Sequence, residues 1–176
     1  MILRRARADD VATLAAWDEK PHVKWCTGHD PDTPLPAEAR EDWPAEIARL
    51  DDWQEIWIGE ASGRRIGVVQ IIDPHREASH YWGKCAPNQR AIDIWIGEET
   101  DLGRGYGTVM MREAIERCFS DPTITNILID PLVINEKAIR FYRRLGFVDV
   151  GERWFDDDHC LVMELRRDAW AAGQAN

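Results

Sequence analysis

The stretch AIDIWIGEETDLGRGYGTVMMREAIERCF, residues 91–119, decides how this chain is read. Ala91 to Gly97 is an apolar run of strand character, and a short acidic connection leads from it into LGRGYG, Leu102 to Gly107. A helical pattern over Thr108 to Phe119 follows directly. Glycines at 103, 105 and 107 let the backbone turn tightly with no Cβ in the way. The helix behind them starts with unpaired N–H groups and the positive end of its dipole, so the turn suits a phosphate or pyrophosphate. A plain strand-to-helix turn accounts for the glycines equally well. Two other phosphate loops are excluded. Thr108 stands where a P-loop requires lysine, and Gly-x-Gly-x-Gly is not the Gly-x-Gly-x-x-Gly of a dinucleotide site.

Upstream of this stretch, Ile2 to Arg7 reads as a strand, and Asp9 or Asp10 can cap a helix through Asp18, with Val11, Leu14 and Trp17 at helical spacing. PHVKWCTGHDPDTPLP is dense in proline, aspartate and glycine and reads as loop. Ala37 to Leu50 is helical in composition, with Pro44 expected to break or kink it. This loop and helix together form a flap carrying Trp25, His29 and Trp43, either a substrate wall or surface packing. Gln54–Glu60 and Arg65–Ile72 are expected as a hairpin around ASGR. Asp73 to Arg90 is irregular and polar, with Tyr81 and Trp82 at its middle, and His75 and His80 there are expected as solvated loop residues.

Downstream, Thr125 to Ile129 is a strand closed by Asp130-Pro131, and NEKAIRFYRRLGF is a helix capped by Asn135 and stopped at Gly146. Asn135, Ala138, Ile139 and Tyr142 share one face of it. Phe147–Phe155 and Cys160–Leu165 form a last hairpin around Asp156-Asp157-Asp158, which reads as a solvated turn. The expected domain is 1–168, with 169–176 as a tail. The order of elements gives an α/β class: a central mixed, mostly antiparallel sheet flanked by helices.

Composition narrows the function. The length of 176 residues suits one domain with its own core. No window reaches the about 18 apolar residues of a membrane span, and MILRRARADD has charges where a signal peptide is apolar. Cys26, Cys85, Cys118 and Cys160 are scattered, with no C-x-x-C pair, so a reduced cytoplasmic protein without a metal is expected. The 22 basic and 32 acidic side chains give a net charge of −10, which disfavours nucleic acid and anionic membranes and draws in cations. A well-solvated acidic surface explains the same charge.

LGRGYG, then N-x-x-A-I-x-F-Y-x-x-L-G-F after a further strand, resembles the GCN5-related N-acetyltransferases (GNAT), enzymes that transfer an acyl group from acyl-CoA to an amine. The resemblance spans nearly the whole chain. It is most similar to the aminoglycoside 6'-N-acetyltransferases, through Ile92-Asp93, the DPT after the helix, Asp130-Pro131, Asn135 and Ala138-Ile139-Arg140. Trp17, His22-Val23 and Trp25 add to the likeness. Leu102 departs from it, since the superfamily loop usually begins with Gln or Arg there.

The resemblance implies the GNAT fold and acetyl-CoA as co-substrate. It implies a pyrophosphate held by the amides of Gly103, Arg104, Gly105, Tyr106, Gly107 and Thr108, with Arg104 adding charge and Leu102 beside the cofactor at the head of the loop. Trp95, Ile96, Asn135 and Ala138 are implied along the pantetheine arm. The partner implied is a cationic small-molecule amine, most specifically an aminoglycoside 6'-amine. A siderophore precursor, a polyamine or a protein amine is the alternative acceptor, and a non-catalytic acyl-CoA-binding module the alternative role. A monomer and a homodimer both fit.

The chemistry asks for a neutral amine and a proton for the departing thiolate. Asp93 is the candidate base. It shares a strand face with Ala91 and Trp95, where a carboxylate needs a cation or donor, so a buried partner for an arginine is its other reading. Tyr142 is the candidate acid, a phenol on the face of Asn135. Trp25, Asp73, Trp82 and Asp130 are candidate substrate contacts.

Overall fold

A computed structural model describes residues 1–49 and 53–174. Seven strands form one mixed sheet, ordered β1-β2-β3-β4-β5-β7-β6. They are β1 (Ile2–Arg5), β2 (Gln54–Ala61), β3 (Arg64–Ile72), β4 (Gln89–Ile96), β5 (Asn126–Ile129), β6 (Val148–Phe155) and β7 (Asp158–Arg166). Helices α1 (Val11–Asp18), α2 (Pro21–Cys26), α3 (Trp43–Ala48), α4 (Tyr106–Ser120), α5 (Glu136–Arg144) and α6 (Arg167–Gln174) complete the chain. None is long and apolar enough to cross a membrane, among the described residues. The chain divides into two compact units, Met1–Gln70 with Asp93–Ala114, and Ile71–Ile92 with the chain from Ile115 onward.

In the first unit β1 pairs antiparallel with β2, Ile2 opposite Glu60 and Arg5 opposite Trp57. Ser62 and Gly63 join β2 to β3 with φ of 51° and 74°, the two positive values of a type I′ turn. Leu14, Trp17, Trp43, Ile56, Ile58 and Val68 form the core, with Ala6, Val11, Ile47 and Trp95 packed against it. Asp10 does not cap α1 with its side chain, as the sequence suggested. It is fully buried and accepts hydrogen bonds from Arg4 (2.7 and 2.9 Å), Arg65 (2.5 Å) and the Arg7 amide (2.8 Å). Burial raises its pKa, but these donors outweigh it and hold the carboxyl far below its ordinary range.

Two expectations fail in this unit. Residues 21–26, expected as loop, form α2. Pro21 sits at the first helical position, where no N–H is needed, and Val23 and Lys24 are buried. The Lys24 ammonium donates to the Thr33 carbonyl at 2.7 Å, so the proline- and aspartate-rich loop begins only after the helix. Pro44 starts a helix rather than breaking one: it lies in the first turn of α3, where Asp42 accepts from the Ala45 amide at 3.1 Å. Ala37–Ala39 is a separate 3-10 turn, and Leu50 lies outside the described residues.

In the second unit β4 begins parallel to β5, with Gln89, Arg90 and Ala91 opposite Asn126, Ile127 and Leu128. Strand β5 then pairs antiparallel with β7, and β7 with β6, which carries a bulge between Asp149 and Gly151. Asn135 caps α5 as expected, accepting from the Ala138 amide at 3.1 Å. The stretch read as a tail carries α6. Its first residue, Arg167, donates to the carbonyls of Phe119 (2.8 Å) and Ile124 (2.7 Å) and to that of Asp121.

Candidate active site

Gly103 and Gly105 take φ of +71° and +84°, values that side chains with a Cβ rarely adopt. Gly107 needs no such freedom, because α4 already begins at Tyr106. The Leu102 amide donates to the Glu99 carbonyl at 3.1 Å, and those of Thr108 and Val109 donate to the Gly105 carbonyl at 3.1 and 3.2 Å. Between them, the amides of Gly103, Arg104, Gly105, Tyr106 and Gly107 donate to no acceptor among the described residues. Five consecutive donors at the positive end of a 15-residue helix form an anion cradle made of main chain. Arg104 is exposed beside them. Thr108, expected among the donors, uses its amide to shape the turn, as does Leu102.

The stem of the cradle is fixed by α1. Trp17 donates to Glu98 at 3.2 Å and Lys20 at 2.9 Å, and their pull holds the Glu98 carboxyl below its ordinary range. Gly97 lies under the Trp17 indole so closely that a Cβ there would come within 1.9 Å of the ring. His22 on α2 donates its Nε2–H at 2.9 Å to the carbonyl of Ile96, a residue expected along the pantetheine arm. Trp95 packs against Trp43, ring centroids 6.2 Å apart, and its buried Nε1–H meets no acceptor among the described residues.

Asp93 departs from its expected surroundings. Ala91 is buried and Trp95 joins the core, but the ladder to β5 stops at Ala91 and Asp93 is exposed. Its charge acts on a group of carboxylates from α1 and the flap. Glu41 is exposed at the start of the segment leading to α3. Loss of hydration raises its pKa, and the charges of Glu46, Asp18 and Asp93 raise it further. Asp18 is raised by burial, against a 2.5 Å hydrogen bond from the Trp43 indole. Carboxylates that resist sharing negative charge are relieved by a bound cation. Trp25 is exposed on α2.

The second unit assembles another acidic and aromatic surface. Tyr81 donates its hydroxyl to Asp130 at 2.7 Å and stacks on Phe155, centroids 4.5 Å apart and planes 10° apart. Trp82 is buried edge-on to both rings, and Arg153 donates to its carbonyl at 2.8 Å while lying over Phe155. Asp73, expected to touch substrate, is buried. It accepts from Arg90 at 3.3 Å and from the His75 amide at 3.1 Å, which anchors the start of the 73–90 loop. Tyr142 is 8% exposed on α5, its ring against Phe147 and Phe141. Asn135 is buried with its Oδ1 in the helix cap, which also uses the Ala138 amide. Burial, with Asp130 and Asp158 adding, pushes the Cys160 thiol up to about 12, which removes it as a nucleophile.

Sequence reading gave Asp18, Glu41, Arg153 and Phe155 no place in the site, named His22 only for the family likeness, and left Tyr81 in the polar loop without a role. The pair Tyr81-Trp82 in a polar loop was a signal for one of them. Nothing in the sequence links Tyr81 to Phe155, which are 74 positions apart and meet only in the fold.

With this geometry in hand, residues 6–155 match the family model of the acetyltransferase (GNAT) domain. The aminoglycoside N(6')-acetyltransferase type 1 of Klebsiella pneumoniae is 29% identical over 169 residues, covering 96% of this chain and 84% of the relative. A kanamycin resistance protein of Rhizobium radiobacter is 34% identical over 95 residues, 53% of this chain and 88% of that protein. Among solved structures, aminoglycoside acetyltransferase AAC(6')-Ib in complex with coenzyme A and kanamycin superposes with a TM-score of 0.83, at 28% identity and 98% coverage of both chains. A family model that spans most of the chain, and a fold that agrees with it, place this protein in the GNAT acetyltransferase family.

Proposed function

We propose that this protein transfers the acetyl group of acetyl-CoA to a primary amine of an aminoglycoside, the 6'-amine. The observation that carries the reading is the run of main-chain amides from Gly103 to Gly107, at the head of α4 and without acceptors among the described residues. Such donors fit a pyrophosphate, and Arg104 adds a cation. When bound, acetyl-CoA supplies an activated acetyl group as its thioester.

The acceptor half rests on charge and aromatic surface. An aminoglycoside carries several ammonium groups on sugar rings, and it needs carboxylates to hold it and flat apolar faces to pack on. Asp93, Asp18 and Glu41 offer the first in one unit, with Trp25 exposed on α2. Asp130 offers it in the other, with Tyr81 supplying an exposed ring backed by the buried Trp82. Likeness to aminoglycoside acetyltransferases over 96% of the chain supports the same acceptor.

Asp93 takes the proton from the acceptor ammonium so that its lone pair is free to attack; being exposed, it returns that proton to water. Tyr142 gives a proton to the departing sulfur and recovers one from solvent. No side chain is acylated. Asp73 contributes through Arg90 and the loop it anchors rather than by touching substrate.

A thiol-release assay with acetyl-CoA tests the reading against kanamycin, spermidine, a hydroxamate precursor amine and a lysine peptide. Coenzyme A is released with kanamycin and far less with the others. Release with another amine and none with kanamycin would overturn the acceptor. Acetyl-CoA binding with no turnover on any amine would leave a binding module.

A further inference from the structure

The ASGRR turn between β2 and β3 sends its two arginines in different directions, as neighbours in a strand do. Arg65 goes to Asp9 and Asp10. Arg64, the first residue of β3, reaches Asp101 with both terminal nitrogens, at 2.5 and 2.8 Å. Asp101 ends the 3-10 turn before the glycine cradle and is only 2% exposed, while the Arg64 side chain is 52% exposed. A buried carboxylate two residues before Gly103 is an anomaly. The cradle is built to attract an anion, and an uncompensated Asp101 beside it would repel one. Arg64 removes the anomaly: its fork holds both oxygens and draws the Asp101 carboxyl below its ordinary range. Tyr106, the first residue of α4, lies against the same guanidinium. The charge of Arg104 also reaches the Asp101 carboxyl.

We infer that Arg64 is a positioning residue for acetyl-CoA: by neutralising Asp101 it keeps the anion cradle's field positive. The inference rests on the reading of Gly103–Gly107 as the pyrophosphate site. It assigns Arg64 no contact with the nucleotide, and this separates it from a direct phosphate ligand.

Calorimetric titration with coenzyme A and with dephospho-coenzyme A, beside steady-state kinetics, tests it. Arg64→Ala should weaken both ligands by about tenfold, the order expected when a like charge is uncovered beside a bound anion, with kcat at saturating acetyl-CoA unchanged. Adding Asp101→Asn to Arg64→Ala should restore most of the affinity, and Arg64→Lys, one donor group in place of a fork, should fall between. Affinity for Arg64→Ala equal to wild type would overturn the inference. So would a loss that Asp101→Asn fails to rescue, or one confined to coenzyme A and absent with the dephospho form, which would mark a contact to the 3'-phosphate. Should Arg64→Ala not fold, Arg64→Gln with and without Asp101→Asn carries the same comparison, since glutamine also removes the charge. Wild-type protein that binds neither ligand would instead sink the cofactor reading itself.

Discussion

The glycine cradle and the Tyr81–Asp130–Phe155 surface are built in opposite ways. The cradle uses main-chain N–H groups from consecutive residues, Gly103 to Gly107, and its shape follows from two positive φ angles and a helix start. The aromatic surface uses side chains 49 and 74 positions away from Tyr81, held by one hydroxyl–carboxylate bond and a ring stack. A site made of backbone is robust to most side-chain changes but sensitive to any loss of glycine geometry. A site made of distant side chains can be retuned one residue at a time. In an enzyme with a fixed acyl donor and a variable acceptor, the first arrangement suits the donor and the second the acceptor.

The contrast can be broken by mutation. Asp93→Asn is expected to have the largest effect, lowering kcat by about 10²- to 10⁴-fold, as loss of a general base does, with coenzyme A affinity unchanged by calorimetry. Equal losses in both would make Asp93 structural. Asp130→Asn should raise the aminoglycoside KM by about tenfold or more, the value of a hydrogen bond to a charged group, and leave the acetyl-CoA KM alone. Gly105→Ala should do the reverse: with nothing within 4 Å of a Cβ there, only backbone strain of about 1 kcal/mol acts, and it should appear as severalfold weaker coenzyme A binding. If Gly105→Ala moves the acceptor KM instead, the division of labour is wrong.

Smaller changes sharpen it. Tyr81→Phe keeps the stack on Phe155 and removes the bond to Asp130, so the aminoglycoside KM should shift by a few-fold, the net value of about 0.5–1.5 kcal/mol for one hydrogen bond. Asp10→Asn should alter no kinetic constant but should reduce stability in a pH-dependent way. The folded carboxyl is depressed, so its contribution is full above the unfolded value of about 3.9 and is lost as pH falls toward the folded one. Denaturant midpoints of the two proteins should therefore differ at pH 7 and converge on acidification below about pH 4. A difference that grows on acidification would contradict the Arg4–Asp10–Arg65 assignment.

What the sequence determined by itself was whatever depends on neighbours along the chain. The strand–glycine–helix order, the Asn135 cap, the final hairpin and the GNAT motifs were all legible because each is fixed within a few residues, by φ preference, capping or periodicity. The tertiary structure alone decided the rest. It made a helix of Pro21–Cys26, against its composition, by burying Val23 and Lys24. It left Asp93 exposed by ending the β4–β5 ladder at Ala91, and it moved Asp73 from a substrate contact to a loop anchor on Arg90. It also gave Asp101 an arginine from 37 positions away. Burial and charge pairing are set by what packs against a residue, and no local pattern encodes the identity of a partner that far along the chain.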